Sequence, residues 1–255
     1  MIRLVFLISL LFVNFAHGKD VEIENLTIFT EPNLSDAVIQ ISRLYAKRNN
    51  IVVSSNFKSA SLLIDEIDFG EPADIFIAGH RQWIESLKQK GLIDVYNIFN
   101  VASDALVIVT SDENNKGLFS GEVYGAKAIL SVLGENNAHL ILESEGSSIG
   151  SYNKDIFADI NLASYFNIHY KVSEDKRTIL DFIRSNKRYF AIVLESDLYN
   201  EEGVKIVGKV DYPNIYYQAA VIAGDNMTNA RRFIDFLKDD LQVAEILKEV
   251  GFVVN

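Results

Sequence analysis

The chain has 255 residues, 49% of them hydrophobic and 23% charged, with a formal net charge of −11 and no cysteine. The acidic balance argues against nucleic acid or an anionic membrane surface as a partner. The missing cysteines exclude a disulfide framework, a thiolate metal site, a cysteine nucleophile and a lipid attachment point at the mature N-terminus.

Residues 1–18 are set apart from the fold. Arg3 precedes the apolar run Leu4–Val13, and small residues stand at Ala16 and Gly18, the pattern of a secretory signal peptide cleaved after Gly18. The run is about half of the roughly 20 residues that a spanning helix needs. The mature protein is therefore expected to be exported to a periplasm, free of any anchor, as a monomer.

Short apolar runs then alternate with helical patterns, as in a mostly parallel sheet with flanking helices. Leu26–Thr30 reads as the first strand, and Ala37, Val38, Ile41, Leu44 and Tyr45 follow at helical spacing. Strand Ile51–Ser54, helix Ser59–Asp68, strand Asp74–Ala78 and a helix carrying Trp83, Ile84 and Leu87 complete a βαβαβα unit. Gly70 and Pro72 break the second helix before its strand.

Ala105–Thr110 is a strand leading into the turn-rich Ser111–Gly121, where the first crossing into a second lobe is placed. In that lobe His139–Glu143, Ile168–Val172 and Phe190–Leu194 read as strands. Helices near Ile149–Ala163 and Ser173–Asn186 connect them, with Ser173 as N-cap. Tyr216–Ala223 is a strand that carries the chain back. Two C-terminal helices follow, one with Phe233, Ile234 and Leu237, the other with Val243, Ile246, Leu247 and Val250 and ended by Gly251. The expected organisation is a first lobe of residues 22–105 plus 222–255 and a second lobe of residues 106–221, hinged at two crossing strands. Ligands of open α/β sheets bind outside the carboxyl ends of strands, here the loops at 30–35, 55–61, 143–150, 173–176 and 194–197.

Three stretches carry a family resemblance. Phe29–Thr30–Glu31–Pro32–Asn33–Leu34, Asn56–Phe57–Lys58–Ser59–Ala60–Ser61–Leu62–Leu63 and Gly70–Glu71–Pro72–Ala73–Asp74–Ile75–Phe76–Ile77–Ala78 resemble the successive motifs of the periplasmic molybdate-binding proteins of ABC transporters. Gly150 with Tyr152, Glu174–Asp175 with Arg177, Ile192–Val193 with Ser196–Asp197 and the terminal helices extend the likeness over almost the whole mature chain. The resemblance implies an α/β, two-lobed periplasmic-binding-protein fold of type II. It also implies capture of molybdate, tungstate or a related oxyanion for an inner-membrane permease, with no cofactor and no resident metal.

In that family two serine hydroxyls, two backbone N–H groups and a tyrosine hydroxyl hold the oxyanion. The corresponding positions here are Asn33, Ala60, Ile149, Lys176 and Leu194, with Lys58, Ser59 and Ser61 as further candidates. Ala60, Ile149 and Lys176 keep backbone donors and Asn33 keeps an amide, but two hydroxyl donors are missing. At about 0.5–1.5 kcal/mol each, their loss weakens binding on the order of ten- to several-hundred-fold unless Lys58 or Lys176 compensates. Glu31 and Glu195 have two readings. Facing solvent they are irrelevant; facing inward they repel an anion and favour a cationic or neutral solute.

The same residues bear on other classes of function. Beyond the leader the histidines are His80, His139 and His169, none in a nucleophile, zinc or phosphate-loop motif, so an enzyme is not expected. His80 reads as a surface or capping residue. Two alternatives to oxyanion capture are a different small solute on the same scaffold and a receptor that has lost its ligand.

Overall fold

Period-two burial sorts the apolar residues of the first strands onto the two faces of a sheet. In a computed structural model that describes residues 24–114, 117–158, 170–173 and 176–254, β1 (Asn25–Thr30) lies between β2 (Val52–Phe57) and β3 (Ile75–Ala78), parallel to both. Leu26, Ile28, Ile75 and Ile77 cluster with Ala37, Val38 and Ile41 of α1 (Ser35–Asn49) and with Phe233 and Ile234 of α7 (Met227–Asp239). The intervening Phe29, Phe76 and Ala78 cluster with Leu63, Ile64 and Ile67 of α2 (Ala60–Asp68) and Ile84 and Leu87 of α3 (Arg81–Gln89). Parallel neighbours require crossovers, which α1 and α2 supply. The long strand β4 (Ile93–Asp104) and β11 (Ile215–Ile222) finish the sheet in the order β2-β1-β3-β11-β4, with β11 antiparallel to both neighbours.

A second mixed sheet is ordered β6-β10-β5-β9-β7-β8. Its strands are β5 (Leu106–Ser111), β6 (Val123–Tyr124), β7 (His139–Glu143), β8 (Tyr170–Ser173), β9 (Tyr189–Leu194) and β10 (Val204–Val210). Val107, Val109, Ile141, Ala191 and Val193 cluster with Ile179 and Ile183 of α6 (Lys176–Ser185). Leu106, Ile108, Leu140, Phe190 and Ile192 turn the other way. They cluster with Ile129, Leu130 and Leu133 of α4 (Ala126–Glu135) and with Ile149 and Phe157 of α5 (Ser148–Phe157). The last helix, α8 (Leu241–Glu249), stops before Gly251, whose φ of 92° suits glycine alone.

The sheets reposition several sequence-derived boundaries. β5 pairs with β9 and β10 of the second sheet, so residues 111–121, the turn-rich stretch expected to hold the first crossing, follow a strand already in that sheet. The return crossing falls at residues 211–214, because β11 is hydrogen-bonded into the first sheet along its whole length. Ser173, expected as the N-cap, ends β8 opposite Glu143, and α6 begins at Lys176. The leader at residues 1–18 lies outside the described residues, as do residues 159–163 and 168–169 of the second-lobe segments and Glu174–Asp175.

Candidate functional site

The loops at the carboxyl ends of β1, β3 and β7 meet on one side chain. Glu31, one residue beyond β1, is 3% exposed. Its Oε1 accepts from the Ser148 backbone N–H at 2.7 Å and its Oε2 from the Gly79 N–H at 3.0 Å, and the Ser148 hydroxyl also donates to Oε2. Gly79 belongs to the first lobe and Ser148 to the second, so the carboxylate spans the space between them. Ser148 opens α5 behind the N-cap Ser147, whose Oγ accepts from the Gly150 N–H at 3.0 Å. The exposed donors and partial positive charge of a helix N-terminus are therefore aimed at the carboxylate. Burial pushes the Glu31 carboxyl above the ordinary glutamate range; the three donors pull it back, and the charge of Asp197 pushes it up again.

Further contacts join the two lobes along the same edge. The Ser61 N–H donates to the Gly146 carbonyl at 3.1 Å, and Gln82 Nε2 donates to Ser151 Oγ. The Tyr152 hydroxyl donates to the Gly79 carbonyl, and His80 Nε2 lies 3.1 Å from Asp155 Oδ2. His80 is the N-cap of α3, its Nδ1 accepting from the Gln82 N–H at 3.2 Å, which leaves Nε2 to carry the proton toward Asp155. Burial lowers its pKa, against the pull of Asp155. The capping role expected for His80 is observed, in a buried setting. Gly79 admits this closeness: a Cβ there would lie 2.8 Å from the Tyr217 ring and 3.3 Å from Ser148 Cβ.

The sequence-derived site residues divide unevenly around this centre. Ser61 and Ser59 border it, since a Cβ on Gly146 would lie 2.7 Å from Ser61 Oγ and 3.8 Å from Ser59 Oγ. Ile149 follows Ser148 in the first turn of α5 and is buried, as are Ala60 at the start of α2 and Leu194 at the end of β9. Asn33 directs its amide nitrogen to the Tyr217 hydroxyl, and its buried Oδ1 meets no hydrogen-bond donor among the described residues. Lys58 is drawn away: its ammonium pairs with Glu66 on its own lobe, and Asn56 holds the other Glu66 oxygen at 2.9 Å. Lys176 is the first residue of α6. Of the two readings of Glu31 the inward one is observed, and Glu195 is exposed.

Beyond Glu31 lies a second acidic layer that composition did not single out. Asp104, at the crossing, accepts from the Ala105 and Ser196 N–H groups at 2.7 and 3.3 Å, and burial raises its pKa to about 6. Tyr217, fully buried, has its hydroxyl pKa raised by burial and by the nearby Asp104, Asp197 and Glu31. On the outer side a groove of about 790 Å³ opens between α1 and the turn after β9, bordered by Asn33, Asp36, Arg43, Ser196, Tyr199 and Glu249. Gly79, Ser148 and Tyr217 escaped sequence reasoning because each is a commonplace residue whose role comes from tertiary proximity. The one available signal was the carboxylate of Glu31 inside a loop expected to bind an anion.

A cleft between two α/β lobes, with donors from both converging on one anionic group, defines a two-lobed solute-binding protein. The chain belongs to the bacterial extracellular solute-binding protein family, whose model matches residues 26–253. That is a family of receptors for substrates and not of enzymes. The chain is 27% identical over 233 residues to the molybdate-binding protein of Escherichia coli strain K12, covering 90% of this chain and 89% of the relative. It is 26% identical to the molybdate-binding protein of Haemophilus influenzae, with 89% of each chain covered. The periplasmic molybdate-binding protein of Azotobacter vinelandii superposes with a TM-score of 0.67 at 18% identity over 90% of this chain and 99% of that one, a likeness of fold.

Proposed function

We propose that the protein captures a tetrahedral oxyanion of the molybdate or tungstate kind in a periplasm and delivers it, chemically unchanged, to an ABC permease, acting as a monomer. The observation that carries this reading is the convergence of two backbone N–H groups and a hydroxyl, from opposite lobes, on one carboxylate. Such a cradle satisfies an anion by hydrogen bonds and a helix N-terminus, with no cationic side chain among the donors. The names of the curated relatives and the spread of the likeness over nearly the whole chain support the cargo class. Asn33, Ala60, Ile149, Lys176 and Leu194 are the proposed contact positions, supplemented by Ser59 and Ser61. Capture is a hinge motion whose equilibrium the solute biases by touching both lobes. Isothermal titration of the mature protein with molybdate, tungstate, sulfate and phosphate is the test. Saturable heat is expected with molybdate and tungstate, and no heat with any of the four rejects the oxyanion reading.

The inward Glu31 favours a second reading, in which the cargo is neutral or cationic and pairs with that carboxylate. Thermal stabilisation by a divalent cation, with none of the four anions binding, is the result that selects it.

A further inference from the structure

The carboxylate of Glu31 occupies the position at which the fold presents its donors. It stands at the carboxyl end of β1, accepts from the loop after β3, and rests on the first turn of α5 next to Ile149, one of the proposed oxyanion contacts. In charge, in oxygen geometry and in its donors it is a tethered substitute for a solute anion. We propose that Glu31 is an intramolecular occupant of the solute position, which holds the two lobes together in the solute-free protein and sets the specificity of the cleft, an oxyanion entering only by displacing it.

Three observations support this, and the part concerning cargo rests on the oxyanion reading above. First, the donors used by Glu31 come from both lobes, so the residue does what a cargo does in a hinged receptor: it rewards closure. Second, the cross-lobe contacts cluster around it. Ser61 to Gly146, Tyr152 to Gly79 and Gln82 to Ser151 all form within the same seam, with Glu31 as the carboxylate that reaches over it from β1. Third, the side chain is buried among groups that do not neutralise it. Asp197 opposes it electrostatically, and the Tyr152 and Tyr217 hydroxyls feel its charge; its hydrogen-bond partners are backbone N–H and hydroxyl donors. A buried carboxylate held by neutral donors alone is costly, which makes its retention at this position informative and its displacement into solvent by a better anion feasible.

The chemical consequence is a raised threshold. A competing anion must satisfy the Gly79 and Ser148 donors better than a covalently tethered carboxylate, whose effective concentration is high. Such a cleft selects a strongly hydrogen-bonding tetrahedral anion over weak or monovalent ones. Removing the tether should then improve affinity, whereas deleting an ordinary contact would weaken it.

The test compares wild type, Glu31→Gln and Glu31→Ala, each as the mature chain. Tungstate titration reads affinity, and small-angle scattering without solute reads closure. Both variants are expected to bind tungstate at least about tenfold more tightly than wild type, and Glu31→Ala to open in the absence of solute and close on adding it. Glu31→Gln keeps the side chain's size and one acceptor, so it carries the test if Glu31→Ala does not fold. Equal or weaker tungstate binding by the variants, when wild type binds, overturns the proposal and leaves the oxyanion reading standing. If no form binds tungstate but Glu31→Ala opens, Glu31 stands as internal occupant and the oxyanion reading falls. A folded Glu31→Ala variant that remains closed without solute overturns the proposal whatever it binds.

Discussion

The two sides of the interlobe space are built differently. Along α5 the lobes are joined by a seam of polar contacts: Glu31 to Ser148, Ser61 to Gly146, Gln82 to Ser151, His80 to Asp155 and Tyr152 to Gly79. Between α1 and the turn after β9 they stand apart, and a groove of about 790 Å³ remains, with Asn33 and Ser196 on opposite walls. The sealed side mixes backbone donors, the Ser148 and Ser61 N–H groups, with side-chain donors from Gln82, His80 and Tyr152. The open side is bordered by the charged side chains of Asp36, Arg43 and Glu249. The cross-lobe contacts named above are thus gathered on one edge, around the Glu31 carboxylate, and the other edge is left open.

Breaking the sealed side at its tightest point has the largest expected effect. A Cβ on Gly150 would lie 1.8 Å from the Ser144 carbonyl oxygen and 2.8 Å from the Glu145 nitrogen, distances that no side-chain movement relieves. The turn from Ser144 to Ser147, closed by the Ser147 N–H on the Ser144 carbonyl at 3.0 Å, has to shift, carrying Gly146 off Ser61 and Ser148 off Glu31. Gly150→Ala is expected to cost about 3 kcal/mol or more in urea unfolding and to open the lobes in scattering. A loss below about 1 kcal/mol with the closed shape retained would mean that the seam is not held by this turn.

A smaller and opposite effect is expected at the crossing, beside the open groove. Burial raises Asp104 from 3.8 to about 6, so the native state holds its proton more tightly than the unfolded chain does. For this group stability is fully present below about pH 3.8, falls as pH rises through the interval up to about 6, and stays lower above it. Asp104→Asn keeps an oxygen for the Ala105 and Ser196 N–H groups and removes the buried charge. It is expected to gain about 1–3 kcal/mol at pH 7 and to flatten the stability profile between about pH 4 and 6. A variant less stable than wild type at pH 7, with the slope unchanged, would assign that slope elsewhere.

The same contrast marks what the sequence could reveal. Strands with clean alternation or unbroken apolar runs, such as Leu26–Thr30 and Phe190–Leu194, were legible to within a residue or two, and Gly70 with Pro72 marked the break before β3. β4 was not: it is an edge strand in which Asp94, Asn97, Asn100 and Ser103 interrupt the apolar residues, and its register against β11 shifts twice. β10 was hidden in the same way by Lys205, Gly208 and Lys209 around a bulge. Of the loops expected from strand ends, those after β1 and β7 meet at Glu31. The pairing of Glu31 with Ser148 was not legible, since it joins residues 117 positions apart and depends on the direction of one side chain.

The smallest expected effect separates charge from geometry. Lys58 stands in the loop after β2, where a compensating cation would be useful to an anion, yet its ammonium is engaged by Glu66 and its side chain is 42% exposed. An exposed ion pair of this kind contributes between 0 and about 1 kcal/mol, and its field in the cleft is weakened by solvent and by the Glu66 charge. Lys58→Ala is therefore expected to change thermal stability by less than about 0.5 kcal/mol and tungstate affinity by less than about threefold. A tenfold loss of affinity, with stability unchanged, would show that the lysine leaves Glu66 for the solute.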